Sequence, residues 1–159
     1  MKYCAFDVDG VLLDVSERFR IAKELVESGM ERDFWKVFFR EELLLLDKPR
    51  GISIELINSR VGRYGLIVIT GRPANLYKIT LEQIVQNFKL RPTKIFMRRV
   101  NDYRPSTIVK LELIEKALNE GYEVVEYHDD DLQVLKTIKR LYPGITLYFH
   151  QGDSYQILS

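Results

Sequence analysis

Asp7 and Asp9 stand one residue apart at the end of an apolar run, Tyr3-Cys4-Ala5-Phe6, and Gly10 follows them. Side chains alternate faces along a strand, so carboxylates at i and i+2 start out pointing the same way. Two like charges that close repel unless a cation lies between them or one is protonated. A divalent metal, a phosphoryl-binding site or a proton would each answer that repulsion; a plain strand followed by an Asp-Gly turn is the simpler alternative. Polar clusters also follow the other apolar runs. They are Thr70-Gly71-Arg72, then Arg98-Arg99 with Arg104 beyond, then His128-Asp129-Asp130-Asp131, and His150-Gln151-Gly152-Asp153. Lys110 sits early in a helical segment, against the electrostatic preference of a helix N-terminus. Taken singly, Thr70-Gly71-Arg72 reads as a tight turn, Asp131 as a helix cap, and the arginines as either a solvated loop or phosphate holders. His128 and His150 read as packing or hydrogen-bonding residues, and Cys4 as core.

The elements that must position these residues are short apolar strands over 2–8, 66–70, 94–97, 123–128 and 145–149, separated by segments of helical period. Asp14-Val15-Ser16-Glu17 resembles a capping box, opening a helix with Phe19, Ala22, Leu25 and Val26 on one stripe. Asp33 caps a second helix that carries Phe34, Trp35, Phe38 and Phe39, a group read as helix packing rather than a stacking platform. Ser53 opens a third, and helices over 75–88, 106–119 and 131–142 complete the set. Apolar, non-alternating strands in alternation with helices predict an α/β fold, a five-stranded mainly parallel sheet covered on both faces. In such a sheet ligands bind beyond the carboxyl ends of the strands, where every one of the polar clusters falls.

Length and composition bound the reading further. The chain has 159 residues, 46% apolar and 30% charged, which predicts one domain over 1–159 with a real core. A net charge of +1 supplies no global attraction for nucleic acid or an anionic membrane, so such a partner needs a local patch. One cysteine excludes an intrachain disulfide and a cysteine metal cluster. No charged-then-apolar leader and no apolar run near ~20 residues is present, so the expectation is a cytoplasmic protein with no membrane contact.

In order, Asp-x-Asp-Gly at Asp7–Gly10, Thr70-Gly71-Arg72, the helical Lys110 and Asp129-Asp130 resemble the four signatures of the haloacid dehalogenase (HAD) superfamily. Met97-Arg98-Arg99, Asp102-Tyr103-Arg104-Pro105, Thr107-Ile108-Val109-Lys110 and Gly152-Asp153 are further similar to the 3′-phosphatase domain of polynucleotide kinase/phosphatases. Phe34-Trp35-Lys36-Val37-Phe38-Phe39 resembles that group's helical insert. Asp131 departs from the group, which often carries a basic residue there. No Gly-x-x-x-x-Gly-Lys-Ser/Thr loop is present, so no kinase domain of that type is expected in this chain.

The resemblance implies a Rossmann-like HAD fold with a small helical cap over about 14–64, and a phosphatase of hydrolase type. It implies Asp7 as nucleophile forming an aspartyl-phosphate and Asp9 as the proton carrier. Thr70 would bond a phosphoryl oxygen, and Lys110 would neutralise charge. Mg²⁺ would be held by Asp7, Asp129 and Asp130 with the main-chain carbonyl of Asp9. Gly71, Arg72, Arg98, Arg99 and Arg104 would line the substrate side. The phosphomonoester implied is a 3′-phosphate at a DNA or RNA end; the alternative is a small metabolite such as a nucleotide or sugar phosphate. A binding module that had lost turnover would lack one of Asp7, Asp9, Lys110 or the Asp-Asp pair, and all are present.

Overall fold

The apolar run before Asp7 becomes the central strand of a six-stranded sheet. The computed structural model describes residues 1–159. β1 (Lys2–Phe6) lies between β4 (Gly65–Pro73) and β6 (Glu123–Asp129); β5 (Lys94–Arg98) is outside β4, and β7 (Thr146–Gln151) and β8 (Ser154–Leu158) are outside β6. The first five of these in space, from β5 to β7, run parallel, and β8 returns antiparallel to β7. Chain order therefore reverses around β1, which puts the crevice at its carboxyl end. Phe6 pairs with both Val68 and His128, so the residues just beyond these three positions emerge at one level.

Alternation along β1 builds two cores. Ala5 faces Ile67, Ile69, Ile114, Leu135 and Ile138 on the side covered by α6 (Ser106–Asn119) and α7 (Leu132–Leu141). Cys4 and Phe6 face Val68, Ile57 and Ile84 on the side covered by α4 (Gly51–Arg60) and α5 (Tyr77–Phe88). Cys4 is fully buried, and burial followed by the nearby Glu126 charge pushes its thiol up to about 12, which makes it an inert core residue.

Between β1 and β4 lie α1 (Ser16–Glu27), α2 (Phe34–Phe38) and α3 (Glu41–Leu44), with a two-residue ribbon of β2 (Leu13–Asp14) and β3 (Lys48–Pro49) at their base. Ala22, Val37 and Phe38 give this insert a small apolar cluster of its own.

The structure corrects several expectations. The sheet has six strands rather than five. β8 was invisible because it is an edge strand with only Leu158 partly buried, so it carries no apolar face to read. β1 stops at Phe6, and the backbone N–H groups of Val11, Leu12 and Leu13 all donate to the Val8 carbonyl in a tight loop. The expected capping box reduces to one bond, Asp14 accepting from the Ser16 N–H, while Glu17 turns to Arg20. α4 opens at Gly51, two residues before Ser53, whose hydroxyl instead reaches the Val11 carbonyl. Asp33 and Asp131 do cap α2 and α7.

A buried polar chain crosses the second core. Arg50 donates to His150 Nδ1 at 2.8 Å, His150 Nε2 meets His128 Nδ1 at 2.9 Å, and His128 Nε2 meets Glu126 at 3.1 Å. Arginine only donates, so Nδ1 of each ring must accept and Nε2 of each must carry the proton. Both rings are thus neutral, and a second proton on either would set two N–H groups against each other. Burial first, then His128 and Arg50, push His150 down to about 3. Unfolded, it titrates near 6.5. Between those values the unfolded chain takes up a proton that the folded chain refuses, so stability falls as pH drops through that window and is indifferent to this group above it. In urea denaturation across pH 5 to 7.5, His150→Gln, which keeps one acceptor and one donor, should gain stability relative to the wild type as pH falls.

Candidate active site

Asp7 sits immediately after β1, with one oxygen accepting from the Val8 N–H at 2.8 Å and the other from Lys110 Nζ at 2.8 Å. Lys110 comes from the first turns of α6, is buried, and also donates to both oxygens of Asp129 at 3.1 and 3.0 Å. Asp129, the last residue of β6, further accepts from the Tyr127 hydroxyl and the Asp131 N–H. Asp130 reaches across to the loop after Asp9. A Cβ added at Gly10, where φ is +81°, would lie 2.1 Å from Asp130 Oδ2, so only glycine fits there. Thr70 at the end of β4 is buried, and its hydroxyl accepts from the Arg72 N–H.

Charge at this edge is unbalanced. Asp7, Asp129 and Asp130 bring carboxylate oxygens within 4.8 Å of one another. Burial drives the Asp7 carboxyl well above its usual range; Lys110 pulls against that rise, and Asp129 and Asp130 add to it. Loss of solvent and then the Asp129 charge push Asp130 up to about 7. Lys110 is held protonated: the surrounding carboxylates outweigh its burial. One ammonium does not satisfy three carboxylates, and an all-oxygen donor set on a parallel-sheet edge suits a hard divalent cation such as Mg²⁺.

Asp9 is gripped from the other side. Its Oδ1 accepts from Arg18 Nη2 at 2.7 Å and from Arg72 Nη2 and Nε at 2.7 and 3.1 Å, while no protein donor falls on Oδ2. Both arginines are fully buried and share Asp47 beneath, at 2.9 and 3.2 Å. Thr80 and Gln83 of α5 take the remaining arm of Arg72. Burial alone would raise the Asp9 carboxyl; Arg72 and Arg18 outweigh it and hold it at about 2, ionised at neutral pH.

Asp7, Asp9, Thr70, Gly71, Arg72, Lys110 and Asp130 therefore line one cleft of about 430 Å³. The other arginines do not join them. Arg98 is consumed by the carbonyls of Gly71, Asp102 and Arg104 and by the Ser106 hydroxyl. Arg104 forks over Asp102 and Glu112, and Arg99 is exposed outside the cleft. Arg72 itself points inward to Asp9 rather than outward.

Sequence reasoning missed Arg18, Asp47, Tyr127 and Ser106. Arg18 left a signal: it lies four residues before Ala22 on the same stripe as Leu25, and a charge in an apolar stripe marks a buried partner. Asp47 left none. The aromatic group also does more than pack, because Phe19, Trp35, Phe38 and Phe39 line this cleft, with Trp35 59% and Phe19 48% exposed.

Comparison with known proteins follows this geometry. The profile of the family described as the polynucleotide kinase PNKP phosphatase domain matches residues 2–148. No curated protein matches the sequence significantly. Among solved structures, a chain of the Pnkp1/Rnl/Hen1 complex superimposes with a TM-score of 0.67 at 20% identity over 94% of this chain and 46% of that one. This chain thus spans about half the length of that relative. A HAD-superfamily hydrolase of Geobacter sulfurreducens has a TM-score of 0.60 at 16% identity, covering 92% of this chain and 88% of that one. A HAD family enzyme of Bacteroides thetaiotaomicron, solved with magnesium and inorganic phosphate, has a TM-score of 0.57 at 14% identity, covering 97% and 96%. At these identities the structures share the fold.

Two stability outcomes follow from the charge arrangement. Arg18→Met leaves Asp47 buried without its main partner and should cost about 3–5 kcal/mol in urea denaturation. Asp130→Asn removes a carboxylate whose raised pKa makes the metal-free fold less stable as pH rises from about 4 to about 7, a loss that then persists at higher pH. Its melting temperature without metal at pH 8 should exceed that of the wild type by a few degrees.

Proposed function

The chain belongs to the polynucleotide kinase PNKP phosphatase domain family, and from that premise we propose that it is a Mg²⁺-dependent phosphomonoester hydrolase acting on 3′-phosphate ends of DNA or RNA. The observation that carries this reading is the single cleft in which Asp7, Asp9, Thr70 and Lys110 meet beside the Asp129–Asp130 pair. A further solved structure, named as the Pnkp1/Rnl/Hen1 RNA repair complex, has a TM-score of 0.66 at 20% identity over 94% of this chain and 42% of that one, and its name supports a nucleic-acid end as substrate. The cation, bound by Asp7, Asp129 and Asp130, would polarise the phosphoryl oxygens and offset their charge.

The rest is the work of the chain's own residues. Asp7 is fixed by the Val8 N–H and Lys110, so one oxygen can be presented to phosphorus without a conformational search. Its attack forms the Asp7–phosphorus bond as the ester oxygen leaves, giving an aspartyl-phosphate. Asp9 carries protons on Oδ2, delivering one to the departing oxygen and then taking one from the water that hydrolyses the intermediate. The arginine grip suits the second role directly. For the first, the negative phosphoryl group arriving beside Oδ2 raises its proton affinity. Thr70 and Lys110 supply fixed dipole and charge where the transition state gathers negative charge. The insert α1–α3 acts as a small cap.

A small phosphorylated metabolite is the second reading, favoured by a cleft whose cations are all engaged by carboxylates.

With Mg²⁺ the purified chain should release phosphate from a 3′-phosphorylated oligonucleotide, and EDTA should abolish release. Asp9→Asn should lower kcat about 10²–10⁴-fold, and Asp7→Asn should leave no detectable turnover. Equal rates for wild type and Asp7→Asn would sink the mechanism.

A further inference from the structure

The cleft is lined by two unlike sets of residues. One is polar and includes Asp7, Thr70 and Lys110; the other is an aromatic wall from the insert, Phe19, Trp35, Phe38 and Phe39. Trp35 is edge-packed by Phe34 and Phe38 and stacked at 6.0 Å on Phe39, so three rings fix its plane while more than half of its surface stays open. Such bracing suits a contact surface, because the exposed ring is held in one plane where it lines the cleft. Its cavity volume falls within the range of about 300–1,000 Å³ typical of small-ligand sites.

Charge decides what that wall meets. The lining cations are Arg72 and Lys110, and both are spent on Asp9, Asp47, Asp7 and Asp129. Asp130 and Asp131 add negative charge to the rim. Arg98 and Arg104, the basic residues after β5, are closed off by carbonyls and carboxylates, and Lys36 and Arg99 lie exposed outside the lining. Among the residues that line the cleft, no cation is left for a second phosphate. A neutral, apolar-faced group attached to the reacting phosphoryl suits such a wall.

We propose that Trp35 is a specificity residue that stacks a single nucleobase, so that the enzyme recognises one terminal nucleoside and holds no backbone phosphate inside the cleft. This rests on the phosphatase reading for the phosphoryl end, and the wall supplies what that reading leaves open. Base–aromatic stacking is tolerant of base identity because every base has a π-face. It follows that a nucleoside 3′-monophosphate should serve nearly as well as a 3′-phosphorylated oligonucleotide, with little dependence on salt.

Trp35 is the chain's one tryptophan, so its fluorescence reports the site directly. In the Asp7→Asn protein with Mg²⁺, a nucleoside 3′-monophosphate should quench that emission, while inorganic phosphate and glycerol phosphate should not. In the wild type, Trp35→Ala should raise KM for both nucleotide substrates about five- to a hundred-fold relative to any change for glycerol phosphate, and be largely rescued by Trp35→Phe. Quenching with no turnover of any ester by the wild type would support the stacking site and overturn the phosphatase reading. Turnover without quenching overturns the stacking site alone. So does an equal loss on all three esters in Trp35→Ala, or a steep salt dependence confined to the oligonucleotide.

Discussion

The confinement of negative charge at the end of β1 and β6 is the constraint on which the rest of this molecule turns. Asp7, Asp9, Asp129 and Asp130 occupy one edge of a parallel sheet, where Asp7 and Asp129 are buried and mutual repulsion is strong. Two separate sets of cations answer it. Lys110 bridges Asp7 and Asp129 from α6, and Arg18 with Arg72 clasp Asp9 from the insert and from β4. The division gives neighbouring carboxylates opposite tendencies: Asp7 and Asp130 are pushed toward protonation, while Asp9 is held ionised. Environments that drive like groups apart are how one site obtains distinct chemical roles from one residue type.

Much of this was legible in the sequence, for a physical reason. Buried parallel strands must be apolar, so residues that break the apolar run at their carboxyl ends stand out; Asp7, Thr70 and Asp129 were found that way. What escaped detection was what depends on partners. Arg98 and Arg104 have the composition of a phosphate-binding loop, and only coordinates reveal that carbonyls and carboxylates already occupy their donors. Asp47 is an isolated acid whose burial depends on two arginines distant in sequence. β8 buries almost nothing, so periodicity had no signal to offer. Trp35 and Phe19 pack and line the cleft at once, and a helical stripe does not distinguish the two uses.

The insert owes its attachment to the same electrostatics. Arg18 lies over the Phe38 ring at 4.3 Å and bonds the Phe38 carbonyl, while its other arm reaches Asp9. A single guanidinium thus joins the aromatic wall, Asp47 and the carboxylate that faces the cleft. The aromatic wall and the charge state at Asp9 are in consequence parts of one connected unit.

Arg50 has a comparable reach on the opposite flank. It holds the Val11 carbonyl in the loop after Asp9 and the Gly152 carbonyl at the tip of the β7–β8 hairpin, with His150 between. In mechanical terms it is a tie-rod. It joins the hairpin directly to the loop that follows Asp9. The outermost strand lines no part of the cleft, yet it serves as a buttress: the far edge of the sheet is tied to the loop beside Asp9.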